Sequence, residues 1–224
     1  QYYSALIKSV KGEFNNKDKK GSNNIMILTL LMRLRQVCLS PRLIDEAFEE
    51  LTPKYDYLIN KLSTLHEEGY SALVFTQFKT SLDIIQSLCE KHKIKAFRLD
   101  GSTTPVKRKK MISAFQDSEE PAVFIMSLKA GGFGLNLTKA NYVFHLDPWW
   151  NPAVENQATD RTHRIGQEQP VFSYKLIMHD SIEEKMLAIK EHKSKLFNQL
   201  FTNSDIVQRS ETLSSEDITY LLND

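Results

Sequence analysis

Cysteine is scarce. Cys38 and Cys89 are the two cysteines of the 224-residue sequence, far apart and without a CxxC pair. This excludes a disulfide framework and the spacing of a zinc site, and leaves reduced thiols as the simple reading. Net charge is nearly absent, with 29 Lys and Arg against 28 Asp and Glu. A wholly basic nucleic-acid binder is thereby excluded, and any contact with nucleic acid must come from a local face. No apolar run has the length of a membrane span. The most apolar stretch, residues 25–34, carries Arg33, runs into Arg35, and is expected to be a buried helix with Met26 and Met32 in the core. No membrane partner is expected. Gln1-Tyr2-Tyr3-Ser4 has neither the basic start nor the apolar run of an export signal, and its first residue, not being Met, fits a piece of a longer protein. Three phosphate-handling patterns are missing as well: GxxxxGKS/T, GxGxxG, and an acidic DExx motif after a strand.

What is present is a regular alternation. Tyr3, Leu6, Ile7 and Val10 predict a helix over 1–10, and the polar residues 11–24 predict a mobile loop. A second helix is expected over 25–37, stopped at Ser40-Pro41 because proline disfavours helical geometry in the residue before it. Thr52-Pro53 then opens a helix with Tyr55, Leu58, Ile59, Leu62 and Leu65 on one face, ended by Gly69. Strand-like runs follow at 72–75, 96–99, 122–126, 142–146 and 172–177. Between them lie helical patterns carrying Leu82, Ile85 and Leu88, at 105–116 and at 152–162; a long helix covers 181–200. Short, continuously apolar strands between amphipathic helices predict an α/β fold with a mainly parallel sheet buried on both faces. The expected organisation is a leading helical segment over 1–51, an α/β lobe over 52–200, and a linker with a C-terminal helix over 201–224. No internal repeat is present.

Chemistry concentrates in two stretches. In Gln157-Ala158-Thr159-Asp160-Arg161-Thr162-His163-Arg164, two arginines three residues apart share a helix face, with Gln157 one turn earlier. Guanidinium groups stay charged and donate paired hydrogen bonds to phosphate, which suits neutralising a transferring phosphoryl group. Taken alone, such a pair is more simply a solvated basic face. The second stretch, Ser127-Leu128-Lys129-Ala130-Gly131-Gly132-Phe133-Gly134-Leu135-Asn136, is a glycine-rich loop directly after a strand. Its backbone N–H groups can approach a phosphate closely.

Together, residues 127–137 and 145–167 resemble motifs V and VI of the Swi/Snf-type branch of superfamily-two helicases. Residues 72–78 resemble motif IV, and Leu99-Asp100-Gly101-Ser102-Thr103 with Arg108 and Phe115 resembles the segment after it. Residues 34–41 resemble the helix leading into this lobe, with Ser40 where the family more often has histidine. The resemblance covers roughly residues 25–200. It implies a RecA-like three-layer αβα lobe, the second of two, with helical extensions at both ends.

It also implies a mechanism. ATP and Mg2+ would sit between two lobes and be held mainly by the first lobe, which carries the phosphate loop and acidic motif missing here. Arg161 and Arg164 would face the γ-phosphate, with Gln157 supporting them. Gly134 and Asn136 would lie near the nucleotide. Thr76, Gln77, Ser102, Thr103, Ser127, Lys129 and Gly131 would face double-stranded DNA, where phosphate contacts position a protein without reading sequence. The partners expected are the first RecA-like lobe of the same protein, double-stranded DNA, and a DNA-bound protein as target. Alone, the chain is expected to have negligible ATPase activity.

Other features have plainer readings. Lys107-Arg108-Lys109-Lys110 is most simply a solvated helix face, a DNA patch or nuclear signal being the sharper alternative; Arg108 is expected to brace the loop at Asp100. Trp149-Trp150 suits either a partner or packing beside the lobe interface. His145 and His163 lack neighbours with metal spacing, so no metal ligand is expected. Two alternatives to the motor lobe remain at this point: a self-contained doubly wound nucleotide enzyme, which would need a glycine-rich turn where Thr76-Gln77-Phe78 stands, and a non-catalytic RecA-like module that binds DNA or protein. An intracellular place is expected. The short helical C-terminus points to a bacterial member in the cytoplasm or nucleoid, a eukaryotic one belonging in the nucleus.

Overall fold

The structure, a computed structural model, describes residues 2–15, 22–127, 137–147, 170–200 and 215–222. It divides into two compact units, one of Glu50–Leu176 and one joining Gln1–Glu49 to Ile177–Asp224. The helix expected at 152–162 and the linker at 202–213 lie outside the described residues.

The unit of Glu50–Leu176 is built on a five-stranded parallel sheet of order β2-β3-β1-β4-β5. Its strands are β1 (Ser71–Thr76), β2 (Ala96–Leu99), β3 (Val123–Ser127), β4 (Ala140–His145) and β5 (Phe172–Lys175). Every residue of β1 is buried, as a central strand covered on both faces requires. The three-layer α/β expectation is met.

Three helices follow local rules. Numbering starts from the leading helices of the other unit, α1 (Tyr2–Asn15) and α2 (Ser22–Leu39), so these are α3 (Pro53–Glu67), α4 (Lys79–Lys91) and α5 (Pro105–Gln116). Thr52 is extended before α3 and Pro53 takes the first helical position, where its missing N–H costs nothing. Gly69 ends the turn after α3 with φ +86; a Cβ there would meet open space, so the backbone conformation is what requires glycine. Thr104 caps α5 by accepting from the Lys107 N–H.

Period-two alternation splits the apolar side chains between the two faces of the sheet. Leu73, Phe75, Phe124, Met126 and Val143 form one buried cluster with Phe115 of α5. Phe115 meets Phe124 edge-on at 5.2 Å and Phe97 at 5.8 Å. Helix α3 packs on β1, and α4 packs on β1, β2 and β3.

In the other unit, α1 and α2 pack together with α6 (Ile182–Leu200) and α7 (Ser215–Leu222). The sequence reading carried the lobe to residue 200, whereas in the structure α6 groups with the leading helices. Helix α6 starts on a dense set of caps. The Ile182 N–H donates to Tyr3 Oη at 2.6 Å, Met178 N–H donates to the buried Glu183, and Asp180 N–H donates to Glu184. Burial pushes the Tyr3 phenol up to about 12.

Two expectations here are corrected. Within the stretch 11–24 read as loop, residues 11–15 continue α1 and residues 22–24 open α2, because adding residues to a formed helix costs far less than nucleating one. Helix α2 is not buried all round: Leu31, Leu34, Cys38 and Leu39 face inward, while Leu28 and Met32 are half exposed. Met32 is therefore not core. The apolar run at 25–32 gives little local signal of which side its neighbours will cover.

Candidate functional site

Parallel strands all end at the same edge, so the loops leaving β1, β2, β3 and β4 gather there. The connection from β1 runs to one side, toward β2, and that from β4 to the other, toward β5. This makes the space between the ends of β1 and β4 the topological switch point, where α/β sheets bind ligands.

At that point the protein places a carboxylate of its own. Asp147 is fully buried and follows β4 by two residues. Its Oδ2 accepts from the Thr76 hydroxyl at 2.6 Å, and its Oδ1 accepts from the Gln77 side-chain amide at 3.0 Å. The Gln77 backbone N–H reaches both oxygens, at 3.2 and 3.3 Å. Thr76 Oγ1 in turn accepts from the Phe78 N–H at 3.3 Å, at the N-cap of α4. One residue before Asp147, the Leu146 carbonyl accepts from the buried Lys54 ammonium at 2.8 Å, and the Leu146 N–H extends the β1–β4 ladder by donating to Phe75. Thr76 is thus placed at the expected edge, but with its hydroxyl turned inward and buried.

The loop after β2 is organised by Asp100. Its Oδ1 accepts from the Ser102 N–H at 2.9 Å and from the Ser102 hydroxyl, while Thr103 Oγ1 accepts from the Asp100 N–H at 3.2 Å. The Ser102 hydroxyl bond holds the Asp100 carboxyl below the usual carboxylate range, helped by the Ser102 N–H and the Arg98 guanidinium, with burial opposing. The guanidinium on Asp100 is that of Arg98, 3.3 Å away, where Arg108 was the expected brace. Arg98 also pairs with Asp83 of α4. Position in the strand explains this: Arg98 alternates with Phe97 and Leu99, so it projects to the face where α4 packs.

Ser127 ends β3, in register with Thr76. Lys107, Lys109 and Lys110 of α5 are exposed. Lys129, Gly131, Gly134, Asn136, Gln157, Arg161 and Arg164 lie outside the described residues, as do His163, Trp149 and Trp150. Asp147 and Arg98 were missed as site residues. Asp147 stood inside a motif already singled out, and Arg98 was a charge within a short apolar strand.

Fold and edge together define a RecA-like lobe, a parallel sheet between helical layers with its loops collected at one end. Residues 53–166 match the family described as the helicase conserved C-terminal domain, and the chain belongs to that family. Within it, the chain is the C-terminal RecA-like lobe of a Swi/Snf-superfamily superfamily-two ATPase. It is 36% identical over 205 residues to the ATP-dependent helicase MG018 of Mycoplasma genitalium, covering 92% of this chain and 20% of that protein. Among solved structures, it is similar to the Sulfolobus solfataricus SWI2/SNF2 ATPase C-terminal domain, with 31% identity and a TM-score of 0.74 over 98% of this chain and 92% of that one. The ATPase core of the same organism in complex with double-stranded DNA matches with 31% identity and a TM-score of 0.76, over 98% of this chain and 47% of that one. The chain spans about a fifth of the length of the first curated relatives it matches. No helix among the described residues is long and apolar enough to cross a membrane.

Proposed function

We propose that this lobe is the arginine-finger half of an ATP-driven translocase on double-stranded DNA. The observation that carries the reading is the common edge of β1, β2 and β3, where the Gln77 side-chain amide and the Thr103 and Ser127 hydroxyls come onto adjacent loops and Ser102, bonded to Asp100, shapes the loop it shares with Thr103. Such donors suit a phosphate backbone, and the similarity to a DNA-bound ATPase core supports the same partner. Lys129 and Gly131, just beyond β3, extend that track, and Thr76 belongs to the same edge.

The nucleotide side falls to Gly134, Asn136, Gln157, Arg161 and Arg164. Bound between two lobes, ATP with Mg2+ supplies the phosphoryl group whose transfer drives movement. The described edge fits a lobe that does not hold the metal. Its carboxylates there, Asp147 and Asp100, are engaged by Thr76 and Gln77 and by Arg98 and Ser102. Metal ligands and the phosphate loop then belong to the first lobe of the same protein. Arg161 and Arg164 neutralise charge developing on the γ-phosphoryl, and Gln157, four positions before Arg161 in the sequence, supports them. Closing and opening of the lobes moves DNA along the track. The target is bare DNA or a protein bound to it, inside the cell.

Joining the chain to its first lobe and assaying ATP turnover with duplex DNA tests this reading. Arg161→Ala and Arg164→Ala are each expected to lower turnover by about 10³-fold or more, the range for arginine fingers. The chain alone is expected to have negligible activity. Turnover in the isolated chain that Arg164→Ala abolishes, or unchanged turnover in the joined variants, would overturn it; the second result would mark a binding module instead.

A further inference from the structure

We propose that Asp147 is a positioning residue for DNA engagement, holding the loop at Gln77 in the shape that meets the phosphate backbone. This rests on the motor reading above and adds to it the means by which one loop of the track is kept in place.

A fully buried carboxylate is costly unless donors surround it. Consecutive residues at the end of β1 donate to Asp147: the Thr76 hydroxyl at 2.6 Å, the Gln77 amide at 3.0 Å, and the Gln77 N–H at 3.2 Å. The Thr76 hydroxyl passes the constraint onward by accepting from Phe78 at the start of α4. One carboxylate therefore fixes the whole turn from β1 into α4. Charge-assisted bonds of this kind are stronger than neutral ones, and linked bonds reinforce one another.

Thr76 cannot lend its hydroxyl to a phosphate while it serves Asp147. Its contribution to the track is the placement of Gln77, which is only partly buried. At the switch point the protein's own carboxylate bonds Thr76 and Gln77, so the turn is held from its inner side and its outer surface is left to face DNA. In the sequence, Asp147 also stands at the head of the stretch that holds Arg161 and Arg164.

The test uses the two-lobe protein and reads turnover as a function of duplex DNA concentration. Thr76→Val keeps the shape and removes the donor. It is expected to raise the DNA concentration for half-maximal turnover about tenfold, as loss of one charge-assisted bond implies, with turnover at saturating DNA nearly kept. Thr76→Ser, which retains the hydroxyl, is expected to restore the wild-type value. Asp147→Asn should act in the same direction as Thr76→Val; if it fails to fold by circular dichroism, the Thr76 pair carries the test. Leu62→Ala, a core truncation in α3, should lower Tm without moving the half-saturating concentration. Half-saturation unchanged in Thr76→Val, or moved equally by Leu62→Ala, overturns the inference alone. A wild type without DNA-stimulated turnover overturns the motor reading and this inference with it.

Discussion

Thr76 and Asp147 stand 71 positions apart in the chain, yet their side chains share a 2.6 Å hydrogen bond where neither is exposed to solvent. Removing one partner from a buried bond leaves the other to bear the cost of desolvation. Thr76→Val should therefore lower stability by about 1–3 kcal/mol. Urea unfolding of the chain, followed by circular dichroism, should show a lower midpoint with an unchanged slope; an unchanged midpoint would count against the bond.

The aromatic cluster under α5 should be far more sensitive. Phe115 is completely buried against Phe97 and Phe124. Phe115→Ala removes that burial and leaves a cavity, a loss of about 3–5 kcal/mol. The same unfolding experiment is expected to show a large drop or no folded protein. Val106, by contrast, is 80% exposed on the same helix, and Val106→Ala should change stability by no more than about 0.5 kcal/mol.

Both cysteines should be silent toward thiol reagents in the native state. Cys38 and Cys89 are buried and form no disulfide, and burial, with the neighbouring Glu90 charge adding, pushes the Cys89 thiol up to about 12. The reactive thiolate is then nearly absent at neutral pH. Titration with a chromogenic disulfide should detect neither thiol until denaturant is added. Rapid native labelling at Cys89 would contradict its placement.

Acid should release the loop after β2 only at low pH. Asp100 is held below the ordinary carboxylate value, chiefly by the Ser102 hydroxyl. A depressed native value stabilises the loop above the unfolded value, and that contribution is lost as pH falls through the native one. The Ser102 amide resonance should titrate with a midpoint below that of a free aspartate. Ser102→Ala should move the Asp100 midpoint upward, and an unmoved midpoint would show that the hydroxyl is not the cause.

Much of the lobe was legible without a structure because its signals are local. Thr52-Pro53 starts α3 and Gly69 ends the turn after it through backbone geometry that one or two residues impose. Strand β1 reads as an uninterrupted apolar run because both of its faces are buried. The motifs at 127–137 and 145–167 are contiguous in the chain, so their pattern could be seen whole.

The remainder depended on residues that only the fold brings together. Nothing near residue 76 in the chain announces Asp147, since strand order alone sets β1 beside β4. Nothing in 107–110 shows that Arg98, not Arg108, reaches Asp100; the phase of a short strand against α4 decides it. Met32 lies in an apolar helix whose sequence cannot say which side meets a neighbour. The sequence by itself determined the class of fold, the family, and the absence of a phosphate loop, since each is written in short stretches of chain. Only the tertiary structure decided that a buried carboxylate bonds Thr76 and Gln77 at the switch point, because hydrogen bonds across 70 or 71 positions follow from strand order and register and leave no local trace.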